Sequence, residues 1–274
     1  MDKTPLREPA VAGQFYPSQA AAIKKQISSF LEKTPPPPQN CIACLMPHAG
    51  YIYSGRVAAQ TASRVQIKDT VILLGPNHTG YGAPFSIIKE GTWKTPLGTV
   101  AIDTKLAESI MEAVVLLKHD PTSHAYEHSL EVELPILQYF KHDFKIVPIV
   151  FLADDFHKLK EIARGIARVV QESQKRENVL IVVSSDMTHY ETLEEATRKD
   201  TEAIQAILDL DEDKLIERIN HEHITMCGYA PAVVMIVCAK LLGATKGTLV
   251  KYETSAEASG DASSVVGYAG IMIQ

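Results

Sequence analysis

The amino-acid sequence predicts an α/β protein: one three-layer α/β/α domain over residues 1–274, with a largely parallel central sheet. Three observations carry this. Short runs that are apolar at every position recur along the chain, as expected for strands covered by helices on both faces. Amphipathic patterns of helical period separate those runs. No flexible linker divides the middle of the 274-residue chain, and that length suffices for one large core.

In chain order, an amphipathic helix is predicted over residues 18–33, with Ala22, Ile23, Ile27, Phe30 and Leu31 on one face. The four prolines at 35–38 form a stiff extended link. Buried strands are predicted at 41–46, 70–74, 145–151 and 179–184. Helices are predicted at 54–65, 104–117, 130–140, 155–173 and 193–208. Residues 85–90 and 98–102, joined by a turn-rich segment, read as a hairpin inserted in the alternation. A helix around 231–242 and strands at 248–253 and 265–273 complete the domain.

Composition narrows the function. Lys plus Arg is 27 and Asp plus Glu is 33, a net charge of −6 with no long basic run. Such a chain is a poor partner for a nucleic-acid backbone. Residues 1–17 lack the apolar core of a signal peptide. The most apolar stretch, 229–243, is interrupted by Pro231 and Lys240 and is too short to span a bilayer. Four cysteines do not make a disulfide scaffold at this length, so a reducing, cytoplasmic setting is expected.

The ten histidines are more informative in their placement than in their number. Three predicted strands run into polar loops that contain one: Pro47-His48-Ala49-Gly50, Pro76-Asn77-His78-Thr79 and Ser185-Asp186-Met187-Thr188-His189. In open α/β sheets ligands bind beyond the carboxyl ends of the strands. If the strands are parallel, His48, His78 and His189 emerge on one edge. One such histidine reads as a turn residue satisfied locally, whereas three read as a site. Converging neutral imidazoles suit Fe, Zn, Cu or Ni. Cys227 is a candidate anionic partner, because it precedes a predicted helix whose N-terminus favours thiolate. A small buried apolar residue is the alternative reading of Cys227.

Other motifs weigh less. His124-Ala125-Tyr126-Glu127-His128 matches the H-x-x-E-H string of inverted zinc peptidases, which needs both histidines on one helix face. Pro121 before it, and Ser129 opening the next helix, make it a loop. Glu127 and His128 are weighed equally as pocket residues and as bracing for that helix start. Cys41-x-x-Cys44 lies within a predicted strand and reads as core. His221 and His223 read as solvated. Ser185, Asp186 and His189 lack the nucleophile elbow of a hydrolase and crowd into five positions. No G-x-G-x-x-G or P-loop is present.

The chain also resembles the Memo family. The resemblance rests on Arg7-Glu8-Pro9-Ala10-Val11-Ala12-Gly13-Gln14-Phe15-Tyr16-Pro17, Pro47-His48-Ala49-Gly50-Tyr51, Gly75-Pro76-Asn77-His78, Glu127-His128-Ser129-Leu130-Glu131, Ser185 to Tyr190, and Cys227-Gly228, in that order from residue 7 to the C-terminus. It implies a fold like that of class III extradiol dioxygenases, which hold Fe(II) with two His and one Glu. It places His48, His78 and Cys227 at a metal, the cysteine standing where the carboxylate would be. It places Asp186 and His189 beside the metal, His189 near the dioxygenases' acid/base histidine. Microbial members are labelled component B of the AmmeMemoRadiSam system, which implies AMMECR-like and radical SAM proteins as partners.

The cofactor so implied is a divalent metal, Fe(II) first, with Cu or Zn as alternatives because thiolate is soft. The first functional expectation is a redox or dioxygenase-like activity on a small-molecule substrate. The second is a non-catalytic, metal- or peptide-binding regulatory protein that reuses the cleft. The third is a zinc hydrolase built on His124 and His128.

Overall fold

Five strands that pair in parallel form the middle of the sheet. Their order is Gly98–Ile102, Lys145–Phe151, Thr70–Pro76, Val179–Ser184 and Ala43–Met46. Every residue of the last three is buried, which is why their sequences carry no polar alternation. The computed structural model describes residues 5–173 and 176–274; residues 1–4 and 174–175 of the predicted domain lie outside the described residues.

Both edges turn antiparallel. Val265–Ile273 pairs with Ala43–Met46, and Gly247–Thr254 and His189–Glu191 pair with Val265–Ile273. At the other edge Thr92–Thr95 forms a hairpin with Gly98–Ile102, and Leu6–Arg7 adds to it in parallel.

Helices cover the sheet in two sets. Ala20–Phe30, Gly55–Arg64 and Ser129–Phe140 pack together. So do Thr104–Ala113, Phe156–Glu172 and Tyr229–Leu241, with Leu193–Leu208 and Glu212–His221 beyond. Tyr229–Leu241 buries every residue from Ala230 to Ala239, which explains the most apolar stretch of the chain as a helix enclosed by sheet and neighbours. Asp103, Asp155, Thr192 and Asp211 each accept a backbone N–H three residues on, fixing four of these helix starts. One apolar cluster runs from Val11 to Ile273.

Two sequence expectations are corrected and one helix is added. The partner of Gly98–Ile102 is Thr92–Thr95; Phe85–Ile87 instead pairs antiparallel with Lys145–Phe151 and parallel with Lys118–His119. Gly91, at φ +118°, breaks the chain between the two runs and frees each to find its own neighbour. The helix predicted to residue 117 ends at Ala113. Glu212–His221 is a helix that the sequence reading left unassigned; its buried Leu215 and Ile219 sit among charges that mask the period.

Candidate metal centre

Parallel pairing of Thr70–Pro76, Val179–Ser184 and Ala43–Met46 sets their carboxyl ends side by side. The loops that follow therefore open on one edge of the sheet. There the ligand atoms of His48, His78 and Cys227 all lie within 4.8 Å of one another. Cys227 Sγ is 3.4 Å from His48 Nε2, and the His48 and His78 rings meet edge-on at 5.2 Å. His48, His78, His128, Asp186, His189 and Cys227 all line one cleft of about 490 Å³.

Two glycines make the convergence possible. A Cβ on Gly75 would come within 2.7 Å of Leu130 and 2.9 Å of Ser129 Oγ, so only glycine lets the Thr70–Pro76 strand end touch the next helix start. A Cβ on Gly228 would meet Ser185 Cβ at 2.5 Å. Gly228 N–H donates to Ser185 Oγ at 2.9 Å, which draws Cys227 onto the Ser185-Asp186 turn.

His78 is held by Glu127. Its ring Nδ1 lies 3.0 Å from Glu127 Oε1, and its backbone N–H donates to the same carboxyl. Ser129 N–H adds a third bond at 2.8 Å. Burial opposes the Glu127 charge, but the His78 bonds, then Ser129 and His128, hold its carboxyl down at about 2. An ionised carboxylate only accepts, so Nδ1 carries a proton and Nε2 is the nitrogen left for a ligand role.

Arg7 pins this segment. It donates to the carbonyls of His124 and Glu127, each at 2.8 Å, and to Glu131 at 2.6 Å. Glu131 also accepts from Ala10 N, Val11 N and Tyr16 Oη. The motif opening the chain thus braces the far wall of the cleft.

His128 stands at the N-cap of Ser129–Phe140 and stacks on His78, centroids 4.7 Å apart. With His78 and Glu127 it forms a second group whose ligand atoms lie within 4.8 Å of one another. Burial lowers its pKa despite the nearby Glu127 charge. His124 does not join it. The one-turn helix Thr122–Ala125 places His124 against Trp93, centroids 5.9 Å apart. The two histidines of the H-x-x-E-H string therefore do not share a helix face, although His124 itself is helical rather than in a loop.

Asp186 and His189 line the cleft, each held by its own partners. Asp186 Oδ1 accepts from the backbone of His48 at 2.8 Å and of Ala49 at 3.2 Å, so the carboxyl anchors the His48 loop. Burial raises its pKa in spite of these bonds. His189 is oriented by Thr225, whose Oγ1 accepts from the His189 backbone and whose carbonyl lies 3.0 Å from Nδ1. A carbonyl only accepts, so His189 Nε2 is the nitrogen left to take a proton.

Burial, reinforced by three histidine neighbours, holds His48 well below its ordinary pKa, the neutral state a metal ligand needs. Burial and then Asp186 push the Cys227 thiol up. Desolvation thus outweighs the helix start that was expected to favour thiolate, and thiolate here calls for a cation. Cys41 and Cys44 are buried, and His221 and His223 are exposed, as read from the sequence.

Comparison with known proteins agrees with these motifs. A family model described as Memo-like protein matches residues 7–272. A MEMO1 family protein of Methanosarcina acetivorans is 44% identical over 270 residues, covering 98% of this chain and 99% of the relative. One of Aquifex aeolicus is 45% identical over 268 residues, covering 97% and 98%. Among solved structures, the uncharacterized protein JW3007 of Escherichia coli K12 matches with TM-score 0.60 and 14% identity, over 84% of this chain and 98% of that one. That likeness carries the fold alone.

Proposed function

The chain belongs to the Memo-like family, and on that premise we propose that it is a mononuclear metal protein, Fe(II) first and Cu or Zn as alternatives, with a redox or dioxygenase-like activity on a small molecule. His48, His78 and Cys227 hold the ion. The observation that carries this reading is the meeting of two imidazoles and one thiol within 4.8 Å in a solvent-reaching cleft. The donor set fits: a thiolate balances one charge of a divalent cation, and imidazole suits borderline metals. Bound there, iron or copper supplies Lewis acidity and one-electron chemistry.

The chain's own groups do the rest. His189 Nε2 takes or returns a proton on a substrate in the cleft. His128, neutral and stacked on His78, offers a hydrogen bond to the same substrate. Asp186 holds the His48 loop, so that the imidazole meets the ion without rearrangement. We extend the proposal to the AMMECR-like and radical SAM partners and to a cytoplasmic setting, which rest on family resemblance and composition.

The test is metal content after oxygen-free purification, for the wild type and for His48→Ala, His78→Ala and Cys227→Ser. Near-stoichiometric iron or copper, lost in all three variants, supports the reading. Zinc lost in the same variants keeps the site and turns its role to regulation. No metal in the wild type, or metal indifferent to the three substitutions, overturns the ligand set.

A further inference from the structure

Beneath His48, the last residue of the Val179–Ser184 strand makes three short contacts. Ser184 Oγ lies 2.8 Å from His48 Nδ1, 2.7 Å from the Ser129 carbonyl oxygen and 2.8 Å from Glu133 Oε1. Ser129, Glu133 and Ser184 are wholly buried, and His48 nearly so. A hydroxyl has one proton to give and two lone pairs to receive with. The Ser129 carbonyl can only accept, so the Ser184 proton goes there. The other two neighbours must then donate, His48 from an Nδ1–H and Glu133 from a protonated carboxyl.

The opposite arrangement fails on the same count. An ionised Glu133 would claim the Ser184 proton, leaving Ser184 Oγ and the Ser129 oxygen 2.7 Å apart with no proton between them. It would also leave a full charge where the second carboxyl oxygen, Oε2, has no hydrogen-bond partner among the described residues, the costliest way to bury a carboxyl. A neutral acid leaves only an uncharged carbonyl oxygen unpaired.

We propose that Glu133 is a neutral acid at physiological pH, and that Glu133 and Ser184 are positioning residues that hold His48 as its Nδ1–H tautomer, turning the Nε2 lone pair toward Cys227. The purpose assigned to this tautomer rests on the metal reading above; the tautomer itself does not. Burial, only partly offset by the Ser184 bond, also pushes the Glu133 carboxyl well above the usual carboxylate range.

Two measurements on the metal-free protein and one on zinc binding test this. In the wild type, nitrogen-15 shifts of the His48 ring report Nδ1–H, and the infrared spectrum at neutral pH holds a carboxylic-acid band that Glu133→Gln removes. In Ser184→Ala the His48 tautomers mix and zinc affinity falls about 10–100-fold. In Glu133→Gln the amide N–H donates to Ser184 in place of the acid, so the tautomer is kept and zinc affinity stays within about threefold.

Nε2–H in the wild type, no acid band, or a loss in Glu133→Gln as deep as in Ser184→Ala overturns the proposal. If the wild type takes no zinc or iron yet shows Nδ1–H and the acid band, the positioning claim stands and only the metal reading falls.

Discussion

His48 and His78 reach the same cleft from the two strands that flank Val179–Ser184 and are supported in different ways. His78, with a third of its side chain open to solvent, leans directly on the ionised carboxylate of Glu127. His48, buried, leans on a hydroxyl, and the carboxyl behind that hydroxyl is Glu133. The two glutamates lie six positions apart in one segment. Glu127 receives three N–H contacts from His78 and Ser129 and stays charged. Glu133 has a single partner for one oxygen and none for the other. The difference teaches that hydrogen-bond supply, more than residue type, decides whether a buried carboxyl carries charge. Both arrangements have the same product, a proton on Nδ1 that leaves Nε2 for a ligand role.

The largest effect comes from removing what both supports serve. Cys227→Ser abolishes stoichiometric metal, read by elemental analysis, while far-ultraviolet circular dichroism is unchanged. Next, Glu127→Gln lowers zinc affinity about 10–100-fold and Glu133→Gln does not; competitive titration separates them, and equal losses would erase the contrast.

Third, the two glutamates impose opposite pH slopes on stability. The Glu127 pKa is depressed to about 2 in the fold, so its contribution is present above the unfolded carboxyl pKa and is lost as pH falls toward 2. The shift corresponds to on the order of 3 kcal/mol. The Glu133 pKa is raised, so the fold binds a proton that the unfolded chain has shed, and stability is lost as pH rises above the unfolded carboxyl pKa toward the raised folded one. Denaturant titrations should show Glu127→Gln flattening the acid limb, while Glu133→Gln gains on the wild type from pH 4 to 7. The smallest effect is that of His124→Phe, which leaves metal content unchanged because His124 faces Trp93.

Much of this site was legible because strand ends announce themselves. Apolar runs that lead into the loops of His48, His78 and His189 predicted one edge, and parallel pairing delivered it. Cys227 was a candidate from its place before a helix, and the family resemblance chose the metal over a buried apolar role, since a lone cysteine has no spacing signal of its own. His128 and Glu127 stayed balanced between pocket and brace because their segment is neither strand nor long helix. Both readings hold: Glu127 bonds His78 and also the Ser129 N–H that opens the helix. Glu133 was invisible, because Leu130, Val132, Leu134 and Ile136 around it read as an ordinary helix buried on all sides. Only the position of Ser184 beneath that helix gives the carboxyl a role. The edge hairpin was misread for a similar reason: two adjacent β-like runs do not declare which distant strand each will meet.

X-ray absorption on the zinc-loaded protein tests the central claim most directly. It should show one sulfur at about 2.3 Å and imidazole nitrogens at about 2.0–2.1 Å, with the sulfur shell lost in Cys227→Ser. A wild-type spectrum with no sulfur shell would contradict a site built from His48, His78 and Cys227.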